Sequence, residues 1–233
     1  VTERQHLIEE TPVAGRRLGR HVFHDERSRN FGAAQAARIR SVKHDSSGLP
    51  LDQGDVGSCT AEAVCGALNT DPDPAKVKGQ QAGHTFTQDD AYKLYGLETK
   101  NEGQPWPPDD PGGTGLWACK AAKQLGWITS YHHAFGLTQA LKALVLRPNI
   151  WGMNWYSSFD SPDPETGLVR LTPGAYIRGG HEIVAVEIQA DRQLVGFINS
   201  WGPGWGLNGR FYVGFGDLDR LLHEQGDVTV PMP

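Results

Sequence analysis

The chain has 233 residues, 38% of them hydrophobic, with a net charge of −5 and an isoelectric point near 6.0. That is material for one substantial core or two packed lobes, and the acidic balance excludes the electrostatic footprint of a nucleic-acid partner. No apolar run approaches the length that spans a bilayer, and no biased tract points to wholesale disorder.

Residues 1–45 are charged and poorly periodic, and "GRRLGRHVFHDERSRN" reads as an extended arm over a domain or as a partly disordered lead-in. The polar start lacks the features of a secretory signal, although a processed N-terminus would look the same. Residues 46–58 are turn-rich. In "CTAEAVCGAL", Ala61, Val64, Cys65 and Leu68 fall at the spacing of one buried helical face, with Cys59 on the first turn. A polar loop follows over 69–86, then a short amphipathic helix in "QDDAYKLYGLETK" and a second loop over 103–115. "LWACKAAKQLGW" predicts a helix with Leu116, Cys119 and Leu125 inward and Gly126 as its stop. Another helix over 138–146 ends at Pro148. Beyond it, the runs 149–159, 167–171, 181–188, 194–201 and 210–215 are rich in β-branched and aromatic residues separated by turn residues. The order predicts an α+β protein: an arm over 1–45, a mainly helical lobe over about 46–147 and a mainly antiparallel β lobe over about 148–233.

The three cysteines do not form a disulfide framework, because Cys59 and Cys65 share one predicted helix. This favours a reducing compartment, cytoplasmic or virion-associated. No paired Cys/His spacing predicts a metal site, and His132-His133 reads as a surface or structural pair in a connection. No cofactor is expected. "GPGWGLNG" lacks the following helix of a phosphate loop, and "DSPDPETG" has prolines where a calcium loop needs ligands.

Cys59 stands where unpaired helix amides stabilise a thiolate, the reactive form of the thiol. Many cysteines at helix starts are inert, so a base must be found. With a hairpin centred near Ala190, His181 lies directly opposite Asn199 on the same face of two strands. An Asn carbonyl there fixes the imidazole tautomer and leaves the other nitrogen for a thiol, as a thiolate–imidazolium pair; a cross-strand polar pair at a sheet edge is the bland alternative. Trp201 either shields that hydrogen bond or belongs to the core. The Cys59 amide and the side-chain amide of Gln53, folded back through Gly54 and Gly57, suit an oxyanion.

"QGDVGSC", "GGHEIVAVE" and "FINSWGPGWGLNGRFYV" resemble the Gln/Cys, His and Asn-Ser-Trp segments of the papain family of cysteine peptidases, over about 47–215. "GSCTAEA" is similar to the shorter bacterial and viral branch. The resemblance implies a papain-like two-lobe fold and a peptidase working through an acyl-enzyme thioester. Cys59 is then the nucleophile, His181 its base and acid, Asn199 the orienting group and Gln53 an oxyanion donor. "PGGTGLWACKAAKQLGW" resembles the family's Gly-Gly segment, which makes Gly112 and Gly113 a peptide-binding edge. Three positions depart from the secreted members: Val56 replaces a disulfide cysteine, Thr60 an aromatic residue and Glu182 a small one. Glu182 is expected to line the pocket for the second residue before the cleaved bond and to favour a basic side chain there. The expected partner is a peptide or protein substrate. Two other readings stay open: an inactive papain-like binding module, and a related hydrolase or acyltransferase acting on cell-wall peptides.

Overall fold

Helix α1 (Cys59–Leu68) forms where the sequence places Ala61, Ala63, Gly66 and Ala67 among larger apolar residues, and nine of its ten residues are buried. The computed structural model describes residues 10, 13, 16–70 and 84–233, so most of the loop expected over 69–86 lies outside the described residues. Helix α2 (Gln88–Asn101) starts on a capping box, in which Thr87 and Asp90 satisfy each other's exposed amides. Thr114 caps α3 (Gly115–Gln124), and α4 (Leu137–Leu146) follows. Among the described residues no helix is long and apolar enough to cross a membrane.

One mixed, mainly antiparallel sheet carries the rest. Its order is β2 (Ser130–Ala134), β8 (Asp227–Met232), β3 (Asn149–Tyr156), β5 (Ile177–Gln189), β6 (Leu194–Ile198), β7 (Arg210–Gly214) and β4 (Leu168–Val169). The short β1 (Val42–Lys43), from the arm, pairs with β5, and β4 runs parallel to β7. Strand β3 is buried along its whole length because both faces of the sheet are covered. On one face, Trp151, Trp155, Ile183, Ala185, Phe197 and Phe211 pack with α4 and α5 (Phe215–His223). On the other, Ile150, Val184 and Val186 meet α1, α2 and α3. The alternation of Ile183 and Ala185 with Val184 and Val186 is the period-two rule of a strand sorting its side chains between two cores.

The helices fall where the periodicity puts them. Three elements differ from the sequence reading. His132-His133 lies in strand β2 rather than in a connection, with His133 buried against Thr229. Helix α5 sits inside the β-rich half and β8 follows it. The hairpin register also differs: Val184 pairs with Ile198, and a bulge between Ala185 and Glu187 shifts the rest.

Phe197 is fully buried, with its ring 5.7 Å from Trp151 and 5.3 Å from Phe211. Phe197→Ala is expected to lower stability by about 3–5 kcal/mol in guanidinium unfolding, the cost of a large core cavity. A loss near zero would mean that this aromatic cluster does not anchor the sheet.

Candidate active site

The segments singled out in the sequence converge where α1 meets β5. His181 is fully buried, and its Nε2 lies 2.7 Å from Asn199 Oδ1. The Ser200 amide donates to the same oxygen at 2.8 Å, so the carbonyl end of Asn199 faces both groups. Nε2 therefore carries the proton, and Nδ1 keeps its lone pair without a hydrogen-bond partner. The bulge puts Asn199 one step past the last registered pair, so it reaches His181 diagonally rather than from directly opposite. Trp201 stacks on the imidazole with ring centres 5.1 Å apart, and Trp155 meets it edge-on at 4.9 Å. Both rings keep water from the His–Asn bond.

Cys59 is fully buried at the N-terminus of α1. Its sulfur accepts a hydrogen bond from the amide of Glu182, the residue next to His181, and among the described residues no hydrogen bond joins the sulfur to the ring. Gln53 is also fully buried. Its Nε2 donates to Val56 O at 2.7 Å and points at Leu18 O at 3.5 Å, while Ser200 Oγ donates to its Oε1 at 2.6 Å. Ser200 thus ties Gln53 to Asn199. It was visible in the Asn-Ser-Trp segment but carried no assignment.

The arm covers this ground. The amides of Gly19 and Arg20 donate to Gly180 O at 3.2 and 3.0 Å on the sheet side. On the helical side, Gly113 donates to Gly19 O at 2.9 Å and accepts from the His21 amide at 2.7 Å, a parallel bridge around Arg20. Trp201 Nε1 donates to Arg17 O at 3.1 Å. Bare glycines allow the approach: a methyl on Gly112 would lie 2.5 Å from His21 Nε2, and one on Gly19 would collide with the backbone of Gly57.

A buried acid layer supports the edge. Glu98 accepts from Thr60 Oγ1 and from the Thr114 amide, each at 2.8 Å, which gives Thr60 its structural role. Asp110 accepts from Tyr95 at 2.5 Å and from the Gly57 amide at 2.9 Å, and Tyr95 in turn accepts from the Gly112 amide. No local motif marks Glu98, Tyr95 or Asp110, because each acts through residues distant in sequence. All three cysteines are free and buried, and the described residues contain no cluster arranged to hold a metal ion.

Burial sets the electrostatics. It pushes the Cys59 thiol well above its ordinary value; the Glu182 amide opposes this, and the neighbouring acids Glu182, Glu62 and Glu98 push the same way as burial. Burial pushes His181 down to about 4, against the Asn199 hydrogen bond, and Arg178 pushes the same way. Under the arm the pair is therefore a neutral thiol and a neutral imidazole, not the thiolate–imidazolium pair expected from the sequence. The reason is desolvation of both charges in a sealed site.

Among solved structures, the chain is similar to xylellain, a cysteine protease from Xylella fastidiosa, with a TM-score of 0.59 and 20% identity over 95% of this chain and 99% of that one. It is also similar to procathepsin B S9 from Trypanosoma congolense (TM-score 0.60, 12% identity, 92% of this chain and 82% of that one). A third match is the Carica candamarcensis cysteine protease CMS1MS2 in complex with E-64 (TM-score 0.56, 14% identity, 80% and 93%). No model of a protein family matches the sequence, and no curated protein matches it. The chain has the two-lobe α+β fold of the papain-like cysteine proteases.

The buried carboxyls predict how stability depends on pH. Burial raises Glu62 to about 8 and pushes Glu98 well up, so each holds a proton in the fold that the unfolded chain releases above about 4.5. Their contribution is complete below that pH and is lost as pH rises through their folded values. His181 acts the other way, losing stability as pH falls from 6.5 toward 4. Two groups outweigh one, so the melting temperature should fall from about pH 5 to about pH 8, and Glu62→Gln should flatten the fall. A melting temperature that rises across this range in calorimetry would contradict the acid layer.

Proposed function

We propose that the protein is a thiol-dependent peptidase that cleaves peptide bonds through Cys59, His181 and Asn199, with Gln53 as an oxyanion donor, and that its own arm keeps it covered. The observation that carries the reading is the His181 ring: Asn199 fixes its tautomer, two tryptophans shield it, and it keeps one free nitrogen beside the strand residue whose amide touches the Cys59 sulfur.

In this reading the arm leaves and a peptide takes its place against Gly113. The Cys59 thiol gives its proton to His181 Nδ1, while Nε2–H stays on Asn199. The sulfur attacks the carbonyl carbon, and the oxyanion meets the Cys59 amide at the helix start and Gln53 Nε2. The Leu18 carbonyl, 3.5 Å from that Nε2, supports the assignment, because it is a peptide carbonyl already held there. His181 then protonates the departing amine as the C–N bond breaks, leaving a thioester. Water attacks the thioester with His181 as base, releasing the acid and restoring the thiol.

The test begins by unseating the arm. Gly19→Ala places a methyl against the Gly57 backbone, and iodoacetamide should then alkylate Cys59 faster than in the unaltered chain while Cys65 and Cys119 stay slow. The same variant should digest a diverse peptide library, read by mass spectrometry. Adding Cys59→Ala should abolish cleavage, and adding Asn199→Ala should reduce it by about 10²-fold, the share of a general acid–base group. If Gly19→Ala exposes Cys59 and no peptide is cut, the chain is a binding module and the proposal is wrong.

A further inference from the structure

Arg20 is the only fully buried arginine side chain among the described residues of the arm. Its Nη2 pairs with Asp227 Oδ1 and donates to Gln225 O at 2.8 Å. Its Nε and Nη1 have no hydrogen-bond partner. Facing them is Glu182, fully buried, with both carboxylate oxygens also unpartnered. Gly152 makes the space. A methyl there would fall against Arg20 Nε and 2.7 Å from a carboxylate oxygen of both Asp227 and Glu182. A methyl on Gly115 would stand 2.5 Å from the other oxygen of Glu182. Two bare backbones and two carboxylates thus form a small acidic pocket, with one guanidinium inside.

The main chain of Arg20 is clamped by the paired bonds to Gly113 described above. Edge bonds that hold a backbone while a pocket reads the side chain are the usual division of labour in recognising an extended peptide. Asp227, the second carboxylate, was not singled out in the sequence, because it lies in the final strand, far along the chain from Glu182. A pair built only for stability would match its donors and acceptors, since unmatched buried charges are costly. Here donors and acceptors remain on both sides, as in a pocket whose occupant is exchangeable. A guanidinium, with five donors in a planar fork, can engage both carboxylates at once, whereas a lysine ammonium is a point charge.

We infer that the Glu182–Asp227 pocket is an arginine-selective subsite for peptides and that Arg20 occupies it as an intramolecular mimic. The inference deepens the peptidase reading by naming the side chain the cleft selects, and it rests on that reading for its role in cleavage.

Binding is measured first, on the full chain carrying Arg20→Ala and Cys59→Ala. The probes are a labelled synthetic peptide with the sequence of residues 16–22 and the same peptide with norleucine in place of the arginine at position 20. Fluorescence polarisation should give the arginine peptide an affinity at least about tenfold higher, as expected for a charge-assisted pair. Adding Glu182→Gln and Asp227→Asn should erase the difference. If circular dichroism shows that this combination does not fold, Asp227→Asn alone decides, with a reduced ratio expected. Equal affinities for the two peptides, or a ratio unchanged in the folded pocket variants, would overturn the inference. The full chain with Arg20→Ala and an intact Cys59 is then given the peptide library. Cleavage with no enrichment of arginine would sink the pocket and leave the peptidase; arginine-selective binding with no cleavage would keep the pocket and sink the peptidase.

Discussion

The site depends on how closely α1 lies on β5. A methyl on Gly66 would stand only 3.1 Å from Val184 Cγ1, and Ala61 and Ala63 keep the neighbouring helix surface shallow. A helix with larger residues at these positions would ride higher on the sheet. The Cys59 sulfur would then move away from the Glu182 amide. The small residues of "CTAEAVCGAL" therefore do more than favour a helix: they set the distance between a thiol on one element and an imidazole on the next. Ser200 sets the third distance, joining Gln53 to Asn199 through its hydroxyl and its amide.

Between Arg17 and His21 the arm makes no helix or sheet of its own. Its conformation is imposed by carbonyls and amides presented from both sides, by Gly180 on the sheet and by Gly113 on the helical side. The same glycines that let it approach leave room for another extended chain. Beneath them, Glu98, Tyr95 and Asp110 hold the Gly112–Gly113 edge from behind, so the edge is stiff although its own residues are bare. The walls of the site are thus held from behind, and the arm lies against them through main-chain bonds.

Much of this was legible in the sequence, and the exceptions have physical causes. Helices α1 and α3 were readable because their apolar positions repeat at the helical period, and Gly126 marks the end of α3. His181 and Asn199 were readable as partners because an even separation keeps two side chains on one face. Their register was not, because a bulge within β5 leaves no composition signal. Strand β2 was hidden by two adjacent histidines, which do not look like a strand core even though one of them is buried. Helix α5 begins directly after a strand, with no turn residues between them to announce the change. Arg20 was invisible for a different reason. A charged residue in an aperiodic segment reads as solvated, and only the fold brings Glu182 and Asp227 to it.

In the proposed reading the arm, joined covalently to the cleft it covers, competes with an incoming peptide at an effective concentration that reaches the millimolar range for a short tether. A dilute peptide of equal intrinsic affinity would lose that contest by a wide margin. Mass action from abundant substrate is therefore a poor way to open the cleft, while a single cut in the tether would let the segment diffuse away and remove the advantage permanently. Such an arrangement works as a one-time fuse rather than as a dial.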